Sequence, residues 1–470
     1  MLCTRGRFLG AAVLAAALAV CRPSAAADSD DSPKRLRTAA EIGAFLAFDW
    51  ALLYMGPGPE ADPPGNVRLV DKLTFKAWSY DASAFLTNFA AHPLAGTFYY
   101  TTARSNRSGP MESLAWGTLS ALTWELIEFP ENVSLNDLIT TPIGGASLGE
   151  AMVQHSLWLD RQPTPLHRFL SGVLFPMKLL NGGPPPDAMD DGGLAGHVGL
   201  VSGGKLDGAP TLGLRFGSRL VHFPGYGEPG RGGQFGSAGK VSALGLDIRG
   251  GSGGLADLRG GASVALATFY RRSIDVDGTG WDALATGGIA YDFREHTWDR
   301  GPLDTWSMVH VPGLGLELRR LDGALRTSLR ADVALTFGGA RSFALDGTPG
   351  ALPIDALTTT QRSWGYTIGW GFAASPSLEI AYGPCSLNVG AAIDTRYGLL
   401  TPDPWADRHP TASIFDAWST VRAGASWNLP WYDLQITGSI ERNLRRGSAE
   451  QHTRTAGETV VLGGIGFALR

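Results

Sequence analysis

The stretch GALRTSLRADVALTF, residues 323–337, sets the architecture of the larger half of the chain. Leu325, Leu329, Val333, Leu335 and Phe337 share one set of alternate positions; Arg326, Ser328, Arg330, Asp332 and Thr336 share the other. A period of two puts the apolar set on one face of an extended strand and the charged set on the opposite face. The pattern recurs at 385–397, with Leu387, Val389, Ile393 and Tyr397 against Ser386, Asn388, Asp394 and Arg396. At 431–444, Tyr432, Leu434, Ile436 and Ile440 oppose Asp433, Gln435, Thr437, Ser439 and Glu441. Similar alternation occupies 211–221, 241–249, 262–273, 281–293, 306–319, 364–382, 414–428 and 459–470, and a weaker segment at 197–201 brings the total to twelve.

A soluble β-sandwich alternates too, but its strands usually run about 5–6 residues, and many of these run 12 or more. Charges of both signs occupy the polar face of nearly every strand, which suits a wet or filled lumen. Tyr291, Phe293, Trp306, Tyr382, Tyr397, Trp427, Trp431 and Tyr432 gather near segment ends, as interfacial aromatic girdles do. The connections alternate in length, with 445–457, 398–413 and 338–362 long and 429–431, 383–384 and 320–322 short. Long outer loops and short periplasmic turns mark outer-membrane barrels. The pattern predicts an antiparallel transmembrane β-barrel of about 12 strands (10–12) over residues 191–470. Outer membrane lipid and the barrel-assembly machinery are its expected partners.

Composition agrees. Of 470 residues, 63 are Gly, which excludes a helical bundle or coiled coil. Three Cys exclude a disulfide scaffold and a Cys-rich zinc module. A net charge of −5 argues against nucleic acid as a partner. No metal site and no cofactor motif is expected. Gly213, Gly217, Gly315, Gly390, Gly464 and Gly466 fall on the lumen-facing set, where they are expected to leave room for the helical domain.

Residues 1–27 carry Arg5 and Arg7, an apolar run over 8–20 and Ala25-Ala26-Ala27, the form of an export signal peptide. That run is shorter than the roughly 20 residues a spanning helix needs. A polar linker, 28–37, leads into a helical domain, 38–190. Helices are predicted at 41–55, 111–129, 134–159 and 165–180, and the run Gly182-Gly183-Pro184-Pro185-Pro186 breaks the last. The fold class is therefore α+β, an N-terminal helical domain followed by the barrel. The outer membrane is the expected location, with the helical domain periplasmic or inside the lumen.

The most specific text lies in the helical domain. It reads His92-Pro93-x-x-Gly96-x-x-Tyr99, Arg104-Ser105-Asn106, Trp124-Glu125, Ser134-x-Asn136-Asp137 and Thr141-Pro142-x-Gly144-Gly145-x-x-x-Gly149-Glu150. Residues 75–180 resemble an uncharacterised, exported Gram-negative family known as a domain of unknown function. The resemblance implies a helical segment ahead of a barrel-like half, and no activity.

These residues have structural readings. Gly145-x-x-x-Gly149 clears one stripe of a helix for close approach in a tight helical hairpin. Ser134-x-x-Asp137 has the form of a capping box, with Asn136 and Asp137 as cap and turn residues. His92 reads as a loop residue before Pro93, and Arg104 as the partner of Glu125 or Asp137 in a buried ion pair. The alternative gathers His92, Arg104, Glu125, Asn136 and Asp137 in one catalytic site. There His92 is a general base and Arg104 holds an anionic group, for an enzyme acting on an envelope lipid or glycan.

Overall fold

The computed structural model describes residues 32–55, 67–80, 83–128, 131–184, 193–206, 208, 210–252, 254–298, 303–341, 343–345, 366–398, 414–429, 433–449 and 452–469. The expected export signal, most of the expected linker, and Trp431 and Tyr432 lie outside the described residues. The chain divides into two compact units, one formed by residues up to 83 together with Ala91–Met189, the other by Ala84–Ala90 together with Asp190–Arg470.

The first unit is helical. Its elements are α1 (Arg35–Met55), α2 (Leu69–Leu73), α3 (His92–Ser105), α4 (Pro110–Ile127), α5 (Asp137–Asp160), α6 (Pro165–Leu174) and α7 (Met177–Asn181). Pro begins α4 and α6, at the position where its missing N–H costs nothing. The single helix expected over 165–180 is two, because Phe175 and Pro176 interrupt it. Ile42, Leu46, Tyr99 and Trp124 form one core, and Val153, Leu157, Phe175 and Met177 form another. The buried Lys72 Nζ donates to the carbonyls of Glu125 and Glu128, so a cation closes the carboxyl end of α4. No described helix is long and apolar enough to cross a membrane.

The second unit is a closed barrel. Its strands are β1 (Gly193–Lys205), β2 (Pro210–Val221), β3 (Val241–Gly251), β4 (Gly254–Ile274), β5 (Gly280–Thr297), β6 (Leu303–Asp322), β7 (Leu325–Arg341), β8 (Tyr366–Tyr382), β9 (Cys385–Gly398), β10 (Ile414–Leu429), β11 (Leu434–Ala449) and β12 (His452–Leu469). Each is antiparallel to the next, and β12 pairs with β1 from Val460↔Lys205 to Leu469↔Gly196, so the ring has no free edge. A short extra strand, Gly230–Gly236, pairs with the end of β4. The weak segment at 197–201 is thus a full strand, and the count is twelve.

Paired residues point to the same side, so the register assigns faces. Leu329, Leu318 and Leu378 are partners and face outward, as do Leu387, Val389 and Ile393. Asp332, Arg396 and Glu441 face the lumen. At one rim β7 ends at Arg341 and β8 begins at Tyr366, and β9 ends at Gly398 and β10 begins at Ile414; the opposite rim carries the tight turns 323–324 and 383–384. The long loop expected at 445–457 is a correction: β11 continues to Ala449 and β12 starts at His452.

A second correction concerns Trp306. Between Gly313 and His310 the register of β6 slips by one residue against β7, a bulge that reverses which parity faces inward. Trp306 and Met308 therefore point into the lumen instead of joining a girdle. Tyr291 and Phe293 do face outward, but Ala84–Ala90 covers them. Tyr291 Oη donates to the Phe89 carbonyl at 2.6 Å, and Asn88 Nδ2 donates to Tyr366 Oη at 3.0 Å. Phe85 and Phe89 meet Tyr366 edge-on. Gly339 makes room, since a Cβ there would stand 2.2 Å from the Phe89 ring.

Candidate functional site

In the helical unit, α3 and α5 run side by side in the same direction. Their contact is made by glycine. A Cβ on Gly145 would stand 2.2 Å from the carbonyl carbon of Gly96, and one on Gly96 would stand 1.9 Å from the Thr141 carbonyl oxygen. The close neighbour of the Gly145 stripe is therefore α3, and the expected hairpin is a parallel pair with α4 as the return. Gly149 lies against Tyr100, and Gly144 is buried on the same helix.

This packing distributes the polar signature over several sites. His92 does not sit in a loop; it opens α3 next to Pro93, and its Nε2 lies 3.4 Å from Asp137 Oδ2. Asn136 Nδ2 donates to Asp137 Oδ1 at 3.0 Å, and Asp137 N donates to Ser134 Oγ at 3.2 Å, so the cap oxygen comes from Ser134. Asn136 occupies the N-cap position without a side-chain cap. Glu125 Oε2 accepts from Ser134 N, which ties α4 to the turn before α5.

Arg104 pairs with neither Glu125 nor Asp137. Its Nε donates to Glu150 Oε2 at 2.8 Å and its Nη1 to the Ser108 carbonyl at 2.6 Å. Tyr100 Oη and Gln154 Nε2 also donate to the Glu150 carboxylate, at 2.9 and 2.6 Å. With Arg104 Nη2 reaching Oε1 at 3.4 Å, four donor groups meet one buried carboxylate, as burial of a charge demands. Burial, then the Glu150 charge, holds the Tyr100 phenol well above its usual range. Ser105 and Asn106 belong to a further knot: Asn106 Nδ2 and Asn181 Nδ2 donate to Glu41 Oε2, and Asn181 Nδ2 also reaches Ser105 Oγ.

Twelve residues of α3 separate His92 from Arg104, about 18 Å along a helix axis. The five candidate catalytic residues therefore do not form one site. His92, Asn136 and Asp137 are together, Glu125 is held by Ser134, and Arg104 belongs with Glu150. Arg104→Ala is expected to leave Glu150 charged and buried, costing about 3–5 kcal/mol. Helical circular dichroism during urea titration of the full chain checks this.

Sequence reasoning missed a second cluster. Lys178 Nζ donates to Ser156 Oγ at 2.8 Å and to Asp160 Oδ2 at 2.7 Å, while Ser171 Oγ also reaches Asp160. These bonds hold α6 and α7 to α5. His155 is buried on α5, and desolvation pulls its imidazole down to about 4. The unfolded imidazole titrates near 6.5. Stability of the helical unit is therefore expected to fall as pH drops below about 6.5, and to level off near 4, by up to about 3 kcal/mol. His155→Leu should remove that part of the pH dependence in the same urea titration.

The barrel lumen holds the larger polar assembly. Near the long-loop rim, the fully buried Arg445 joins Asp304 through Nε at 3.0 Å and Asp416 through Nη1 at 2.8 Å. Arg396 Nη2 reaches the other oxygen of Asp416 at 3.1 Å and Thr367 Oγ1 at 2.9 Å. Trp306 lies 5.0 Å from each guanidinium, and the Trp298 and Trp418 rings meet tilted at 5.5 Å. Beside this layer, Asp257 collects Arg249, Arg259, Arg294 and His296, and His296 bridges on to Glu458. The lumen glycines fit these side chains: Gly213 faces Arg249, Gly217 faces His197, and Gly315 faces Asp332 and Thr286. Below the layer lies a chamber of about 650 Å³.

No curated protein shows a significant sequence match to the chain. Among solved structures the barrel is similar to the translocator domain of autotransporter NalP from Neisseria meningitidis, at 10% identity and TM-score 0.24, covering 60% of this chain and 91% of that one. It is also similar to OmpT, an outer membrane protein of Vibrio cholerae, at 6% identity and TM-score 0.23, covering 60% of this chain and 100% of that one. The β domain of the Bordetella autotransporter BrkA is similar at 12% identity and TM-score 0.21, again with 60% and 100% covered. Residues 77–177, the segment holding the whole polar signature, match the family described as Domain of unknown function (DUF3943).

Proposed function

We propose that the chain is an outer-membrane β-barrel of a Gram-negative envelope, with a transport or structural role, whose lumen is shut by its own side chains. The observation that carries this reading is the layer built on Arg445, Asp304, Asp416 and Arg396 together with Trp298, Trp306 and Trp418. An open diffusion pore keeps its axis wet and clear; here buried ion pairs and indole rings occupy it. The outer face is apolar along strands of 11 to 21 residues, long enough for tilted membrane strands. We assign the helical unit the part of a cap rather than a plug, since barrel side chains take the room beside Gly213, Gly217 and Gly315. Its polar signature then serves as structural pairs that hold the helices together.

Fractionation with heat-modifiable migration tests the location. The full chain is expected in the outer-membrane fraction, and to migrate faster unheated than boiled in SDS. Recovery from the periplasm without detergent overturns the reading.

A further inference from the structure

The chamber has an unbalanced pair of charges. Arg215 pairs with Asp247, Arg219 with Glu317, and Arg330 with Asp332. Arg259 and Arg294 reach Asp257, and Asp292 reaches His310. Among the described residues that line the chamber, Arg422 on β10 and Asp394 on β9 stand outside the ion pairs just named, and the Arg422 Nε has no hydrogen-bond partner. Both face the lumen, because Asp394 pairs in register with Trp418 and Arg422 with Gly390. That register sets them four residues apart along adjacent strands, about 13 Å by strand rise.

An unpaired charge in a confined site costs free energy unless water or a ligand satisfies it. Two such charges of opposite sign, set apart across one chamber, are complementary to a molecule with a charge at each end. We infer that the chamber binds a small zwitterion of dipeptide size, its carboxylate on Arg422 and its ammonium on Asp394; the inference rests on the barrel reading above. Arg422 offers a planar fork of donors matched to a carboxylate, and Asp394 accepts from an ammonium. An extended dipeptide spans about 7 Å, shorter than the roughly 13 Å between the two backbone positions, which leaves length for both side chains. Gly390, directly opposite Arg422 on β9, keeps the space beside the guanidinium clear.

Glycylglycine is the probe, measured by calorimetry on the full chain in detergent, beside N-acetylglycylglycine and glycylglycinamide. Glycylglycine should bind, and each blocked form should bind at least about tenfold more weakly, one charge-assisted contact having been lost. Arg422→Gln should weaken glycylglycine by a similar factor and erase its advantage over the amide. Asp394→Asn should erase its advantage over the acetylated form. Those matched losses cannot come from misfolding, and heat-modifiable migration confirms that each variant folds. Equal binding of the acetylated form makes the chamber an anion site and overturns the inference, as does failure of all three to bind. A chain that still fractionates with the outer membrane while refusing glycylglycine loses only this inference; a chain found soluble loses the barrel reading itself.

Discussion

Gly145→Val is expected to abolish the folded helical unit. The added Cβ would stand 2.2 Å from the Gly96 carbonyl carbon and 2.5 Å from its Cα, so the obstacle is backbone and no rotamer change relieves it. The two helices must separate, and separation strains both ends of their contact, the His92–Asp137 pair and the Tyr100–Arg104–Glu150 cluster. Overpacking in a core usually costs about 1–3 kcal/mol; with the polar pairs disturbed as well, the upper end of that range is the minimum expected. Gly117→Val on α4 is the control, since nothing lies within 4 Å of a Cβ at that position. Helical circular dichroism and protease resistance of the two variants check the contrast, with loss in the first and retention in the second.

Arg445→Ala is expected to open the lumen and weaken the barrel together. Removing the guanidinium leaves Asp304 with the Trp298 indole N–H and Asp416 with Arg396, two carboxylates facing one vacated space. Breaking a buried pair of this kind costs about 3–5 kcal/mol. The side chain also contacts the rings of Trp306, Phe343 and Trp418, so truncation removes packing with the charge. Conductance in planar bilayers should rise and the temperature of heat modification should fall. Restoring an apolar fill with Arg445→Met and Asp304→Leu together should recover stability, because well-packed apolar groups replace a buried ion pair at little or no cost.

The barrel was legible because its chemistry repeats. Leu387 against Arg396, and Leu329 against Arg330, carry a period of two that survives strand after strand, and closure follows once every strand needs two neighbours. Legibility failed where that period is interrupted. The bulge in β6 turns Trp306 inward, and one inserted residue leaves no mark in composition. Past Ile440, β11 continues through Arg442, Leu444 and Arg446 on its outer face, beyond the apolar belt, so pairing persists after the hydrophobic signal ends. In the helical unit, α3 is rich in Thr97, Thr101, Thr102 and Gly96, residues with weak helix preference, and packing against α5 overrides that preference. The partner of Arg104 lies forty-six residues away on another helix, a separation that no local pattern encodes. The docking of Phe85 and Phe89 on the outer face of the barrel has the same character.

The central claim is a membrane barrel shut by its own lumen side chains. Its most direct test is the single-channel conductance of the purified full chain in planar bilayers, with heat-modifiable migration showing that the sample is folded. The account predicts a folded chain that is silent or nearly so. A folded chain that gives stable, ohmic openings of the size expected for an unobstructed twelve-stranded barrel would contradict it.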